Sequence, residues 1–244
     1  MVKKKLEKII YSIEKEFDLI DKVDIRLDKG KYDKQSISFF KDNIYHIVVG
    51  IKDYQDMEKL TDKQFNHVCN TILHELIHAR NFFELSNGMR SKLLEKNRRT
   101  LQHYAWKMLD EYSAYMESNQ QFKENADELN GTVDDAFKGF LHMSQGTLVR
   151  ATEEEFYDAF YDYCSAIIAR YCVDKELFLS CLEEEYECMV ENFLMHLRYS
   201  YDQRPLSYEQ YESLGRRLIY DLLEIIPRGK QHFFKYNTHI TNLK

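Results

Sequence analysis

Leu6, Ile9, Ile10, Ile13, Phe17 and Ile20 recur three and four positions apart. That spacing lines them up on one stripe, so residues 4–20 are predicted as a first helix. The period then changes. Residues 23–27 alternate apolar with polar, residues 36–40 are short and rich in strand formers, and residues 43–51 are almost all β-branched or aromatic. With Asp, Lys and Gly between them, the three segments predict short strands of one small sheet.

Beyond residue 51 the helical period returns and stays. Thr61-Asp62-Lys63-Gln64 is a capping box, in which a hydroxyl and a Gln side chain reciprocally close free backbone N–H groups. It opens a helix with Phe65, Val68, Cys69, Ile72, Leu73 and Leu76 on one apolar stripe, running to about residue 83 with Asn87-Gly88 as its stop. A basic connection follows (Arg90, Lys92, Lys96, Arg98, Arg99), then a helix over about 98–122. Residues 123–151, with Gly131, Gly139 and Gly146, read as a subdomain boundary with a short helix near 134–141. Further boxes at Thr152–Glu155 and Ser207–Gln210 open helices, the first ending near Tyr171 and the second before Pro227, and another helix covers 175–199. The expected fold class is α+β and predominantly helical: a core over 1–122 with a small N-terminal sheet packed on the helix that follows it, and a helical subdomain over 123–244.

Composition narrows the classes. With 34 Lys+Arg against 41 Asp+Glu the net charge is -7, which disfavours a nucleic-acid partner, because such binding relies on a basic phosphate-contacting surface. Only 8 Gly and 2 Pro occur in 244 residues, against a turn-rich β-sandwich. No apolar run approaches the length of a membrane span. The five cysteines (Cys69, Cys164, Cys172, Cys181, Cys188) are odd in number and form no CxxC pair, so they read as buried hydrophobes of a reducing, cytoplasmic compartment.

One motif carries chemistry. His74-Glu75-Leu76-Ile77-His78 is HExxH. Residues four apart on a helix share a face, so both imidazoles can reach one ion, and Zn²⁺ accepts His nitrogen. Glu75, beside the first ligand, reaches a metal-bound water and takes its proton as general base, while the ion lowers the water's pKa and polarises a scissile carbonyl. The basic cluster at 90–99 reads as a solvated face.

TILHELIHARN, preceded by short strands and followed by a helix bearing an acidic residue, resembles the zincin superfamily of zinc metallopeptidases. The resemblance covers about residues 1–120. It implies a twisted sheet, an active-site helix and a third metal ligand downstream. Glu111, in Leu109-Asp110-Glu111-Tyr112-Ser113-Ala114-Tyr115, fits the gluzincin arrangement, in which a Glu from the next helix completes the site after an antiparallel return. That pattern often has an acidic residue four positions later; Tyr115 stands there, leaving its hydroxyl or Asp110 to orient a ligand. Glu84 is the competing third ligand. In the metzincin pattern HExxHxxGxxH it occupies the last position, with Asn81 in place of Gly. The resemblance also implies a sheet-edge strand that pairs with extended peptide, for which residues 43–51 are the candidate, against the plainer reading of a buried strand. His46 and His67 fall near the motif, and Tyr104, Tyr112 and Tyr115 are possible oxyanion donors.

The expected function is therefore a zinc-dependent metallopeptidase: Glu75 catalytic, His74, His78 and Glu111 on Zn²⁺, a peptide or protein substrate, and no nucleic-acid or membrane partner. The alternative is a non-catalytic zincin-like metal-binding or protein-interaction module, although a structural metal would not need a base beside its ligand. A di-iron bundle requires a second Glu-x-x-His pair, and the chain has none.

Overall fold

The computed structural model describes residues 2–28, 36–50, 59–95, 100–123, 153–180, 182 and 184–225. The predicted short helix near 134–141, the glycines of the 123–151 segment, the Thr152 cap, and Lys96, Arg98 and Arg99 lie outside them. The described residues are mostly helical with a three-stranded mixed sheet, an α+β composition. The elements are α1 (Val2–Glu16), β1 (Val23–Asp28), β2 (Ile37–Lys41), β3 (Ile44–Gly50), α2 (Asp62–Glu84), α3 (Asn87–Arg90), a π-helical turn (Ser91–Glu95), α4 (Leu101–Gln121), α5 (Glu153–Val173), α6 (Lys175–Ser180), α7 (Glu184–Asp202) and α8 (Tyr208–Ile225).

The chain forms two compact units that do not follow a single cut in sequence. Met1–Leu85 with Ala114–Glu124 make one, and Ser86–Ser113 with Asn125–Lys244 make the other. Helix α4 contributes to both.

In the first unit, α1 stops earlier than its apolar period suggests. The Asp18 amide bonds to the Lys15 carbonyl and the Leu19 amide to Glu14, with Asp18 at φ 53. This is a Schellman cap, with aspartate in the left-handed position that glycine usually fills. The reversal buries Leu19 beside Ile13 and leaves Ile20 exposed, so Ile20 is off the predicted stripe. The strands fall within a residue or so of their predicted spans. Asp42 and Asn43 both have positive φ (51 and 64), the two-residue I′ geometry that joins β2 to β3, with Lys41 opposite Ile44.

Sheet order is β1-β3-β2, β1 parallel and β2 antiparallel to β3. The 43–51 segment therefore holds the central strand, paired on both sides, and is not the peptide-pairing edge. Its near-continuous apolar run reflects burial, with Ile47 and Val49 enclosed. The inner face packs with α1 and α2 around Leu6, Ile13, Leu19, Ile47, Val68, Ile72, Leu76 and Ile77, each buried aliphatic contributing about 1.5–3 kcal/mol relative to exposure.

The Thr61 capping box is present as predicted. Asn87-Gly88 does not act as a stop: Leu85 is extended, and Ser86 caps α3 by accepting the Met89 amide at 3.2 Å. In the second unit, the single helix predicted over 175–199 is two. The Leu182 amide bonds three residues back to Leu179 at 3.0 Å, and Leu182 turns inward. The Ser207 box is formed, Ser207 N–H to Gln210 Oε1 at 2.7 Å and Gln210 N–H to Ser207 Oγ at 3.2 Å. Helices α7 and α8 pack on each other.

Candidate metal centre

Helix α2 runs without interruption from its capping box through His74 and His78 to Glu84. Consecutive turns put both imidazoles on one side, Nε2 to Nε2 at 3.0 Å. The C-terminal part of α4 lies antiparallel along this face. Asn66 donates to the Lys123 carbonyl (2.8 Å), Asn70 to Asn119 Oδ1 (3.0 Å), and the His74 ring meets that of Tyr115 at 4.4 Å. Each step of four along α2 is matched by a step of four back along α4. Glu111 lies one turn before Tyr115 on the same continuous helix.

Ligand atoms of His74, His78 and Glu111 all lie within 4.8 Å of one another, and among the described residues they form the one group of His, Cys, Asp or Glu able to hold a metal ion. His78 is buried and the other two are half-buried. The donor set fits a metal: two imidazole nitrogens and a carboxylate are a common three-ligand complement of Zn²⁺, and ligand bonds of about 2.0–2.1 Å put tetrahedral neighbours roughly 3.3 Å apart, close to the 3.0 Å between the imidazoles.

Glu84 does not join this group. The helix continues through Asn81, which is buried in it, and carries Glu84 outward, where it pairs with Arg80 Nε at 3.5 Å and is 55% exposed.

Glu75 is buried at 6% exposure. Its Oε1 accepts a hydrogen bond from Ser36 Oγ, in the residue just ahead of β2. Tyr161, on α5, donates to Glu111 Oε1 and lies under Lys107, whose Nζ is 3.6 Å from the ring centroid. Arg80 makes a two-pronged contact with Glu117, both N–O distances 2.7 Å, and its guanidinium covers the Phe17 ring.

The remaining candidates fall elsewhere. His46 lies on the sheet, Nδ1 3.1 Å from Asp24 Oδ2 and stacked on Phe39. His67 is exposed on α2. Tyr112 is buried against Tyr201, and burial, with Cys172 and Tyr171 nearby, raises its hydroxyl's pKa. Tyr104 is buried beside His103. Tyr115 meets the His74 ring edge-on. Ser36, Tyr161 and the Arg80–Glu117 pair were not anticipated from sequence, and no local pattern marks them.

Comparisons of the chain with protein-family models, with curated proteins and with solved structures give no match.

Proposed function

We propose that the chain is a zinc-dependent metallopeptidase of gluzincin type, hydrolysing peptide bonds. The observation that supports this is the convergence of His74, His78 and Glu111 around one point, with Glu75 on the turn that separates the two histidines. A catalytic zinc takes three protein ligands and keeps one position open, and three are available here. When bound, the ion supplies Lewis acidity and brings the pKa of water toward neutrality.

The chain's own groups do the rest. His74 and His78 offer nitrogen lone pairs in the neutral state. Glu111 offers a carboxylate oxygen, which offsets part of a dication's charge. In this reading Glu75, next to His74 in sequence, accepts a proton from the attacking water and returns it to the departing amine. Its burial, with Ser36 as donor, keeps bulk water from competing for its oxygens. Among the described residues β2 is an edge strand of the sheet and begins one residue after Ser36; an extended peptide pairing there would be read by its backbone rather than its side chains.

Among the described residues no helix is long and apolar enough to cross a membrane. The described cysteines are free thiols, and burial pushes Cys69 up to about 11 and Cys172 up to about 12. Buried, protonated thiols such as Cys69 suit a reducing cytoplasm, whereas Cys188 is exposed rather than buried as expected.

The test is metal analysis of the purified protein followed by Glu75→Gln. Stoichiometric zinc is expected in both proteins, with peptide hydrolysis only in the wild type. Hydrolysis retained by the variant overturns the mechanism, and wild type that takes up no zinc overturns the site.

A further inference from the structure

The acidic residue of the motif is held from outside its own helix. Glu75 is enclosed, and an enclosed carboxylate requires hydrogen-bond donors. Ser36 supplies one, through Oγ to Oε1, from 39 residues earlier in the chain. Ser36 is half-buried and leads directly into β2, whose register against β3 is fixed from Ile37 opposite Val48 to Lys41 opposite Ile44. The hydroxyl is thus positioned by the sheet. The carboxylate is carried on three side-chain torsions from α2, and such a chain has several staggered arrangements open to it.

We infer that Ser36 is a positioning residue for Glu75: its hydroxyl selects one rotamer by binding Oε1 and leaves Oε2 to the reacting water. This rests on the reading of Glu75 as the base. In the reacting state Ser36 keeps its own proton throughout, and the proton taken from water goes to Oε2. Because Ser36 acts through Glu75 and touches neither ion nor substrate, its loss should misplace the base without altering the histidines. Misplacements of the order of 1 Å are enough to cost roughly a hundredfold in rate. A tie that merely fastened strand to helix would instead lower stability and leave turnover per bound zinc unchanged.

The experiment uses the full chain loaded with zinc, with Ser36→Ala, Ser36→Thr and wild type compared per equivalent of bound metal. Ser36→Ala is expected to lower kcat by about tenfold or more, with KM and the zinc Kd within about twofold of wild type. Ser36→Thr, which keeps the hydroxyl, should restore most of the rate. A second readout needs no turnover: a thermal-unfolding cycle of Ser36→Ala, Glu75→Gln and the double variant in metal-free protein. The double variant should lose less than the two single losses added, because both remove one bond. An unchanged or raised kcat in Ser36→Ala, no rescue by Thr, or strictly additive unfolding shifts would each overturn the inference. Wild type that binds zinc but hydrolyses no peptide would remove the parent reading and this one with it. That failure is distinct, because it appears in the wild type before any variant of Ser36 is considered.

Discussion

Tyr161 donates its hydroxyl hydrogen to Oε1 of Glu111, from a helix 50 residues further along the chain. A carboxylate bound to a cation through one oxygen is best oriented by a donor on the other. Such outer partners raise metal affinity, and their loss typically weakens it by about 10–100-fold. Tyr161→Phe removes only the hydroxyl and keeps the ring beneath Lys107. Its zinc Kd, measured by competition with a chromogenic chelator, should rise by that factor while the fold persists. An unchanged Kd would show that Tyr161 packs against Glu111 without steering it.

Arg80 and Glu117 tie α2 to the C-terminal part of α4 just beyond His78, with side chains only 16% and 20% exposed. Removing one partner of such a pair leaves a largely desolvated charge alone. For a fully buried pair that costs about 3–5 kcal/mol; the residual exposure here argues for roughly 2–3 kcal/mol. Glu117→Ala should therefore be clearly destabilising in urea unfolding. Replacing both residues by apolar ones of similar volume (Arg80→Met with Glu117→Leu) should recover most of the loss, since neither charge is then stranded. A double variant as unstable as Glu117→Ala would assign the effect to lost packing, including the Phe17 contact.

What was legible in the sequence was what short-range chemistry decides. The Thr61 and Ser207 caps close within four residues, and the strands announce themselves by period and by the Asp, Lys and Gly between them. The motif histidines need only one helical turn to meet. That Glu111 comes near the two histidines was legible from the antiparallel return of the following helix. The end of α1 was not, because Asp18 takes a left-handed conformation that sequence reading assigns to glycine. The break at Leu182 was hidden because a buried apolar residue continues a helical stripe as well as it terminates one. Strand order was not legible, because an apolar run shows that a strand is covered, not which neighbours cover it, so residues 43–51 read equally as an edge strand or a buried one. Ser36 and Tyr161 were invisible for a simpler reason: each acts across 39 or 50 residues on a carboxylate, and a single hydroxyl leaves no periodic trace.

Gly215 on α8 gives a further prediction. A Cβ there would lie 2.2 Å from the Leu101 carbonyl oxygen and 2.7 Å from its carbon. Both are backbone atoms, so no side-chain rotation relieves the contact. Ala would gain about 1 kcal/mol in helix propensity, but overpacking of this kind costs about 1–3 kcal/mol or more, and a contact this short belongs at the upper end. The clash should win, so Gly215→Ala should lower the unfolding midpoint. A stabilised variant would mean that α8 is free to retreat from Leu101.

Asp221, on the same helix, is half-buried next to His196, whose Nε2 is 3.5 Å from Oδ2. Burial pushes the Asp221 carboxyl up to about 6. The folded chain therefore holds this proton more tightly than the unfolded chain does. Its contribution to stability is complete below the ordinary aspartate pKa of about 4 and is lost as pH rises through about 6. His196 runs the other way: burial, and then Arg217, lower its pKa, so its contribution is complete above the ordinary histidine value near 6.5 and is lost as pH falls below it. Asp221→Asn removes the first limb and leaves the second. The variant should match wild type near pH 4 and exceed it above about pH 6.5, by about 2–4 °C in Tm, the response to ~1 kcal/mol in a chain of about this size. Thermal melts of both proteins from pH 4 to 8 check this. A variant less stable than wild type at pH 7 would mean that the carboxylate is ionised there and held by protonated His196, reversing the assignment.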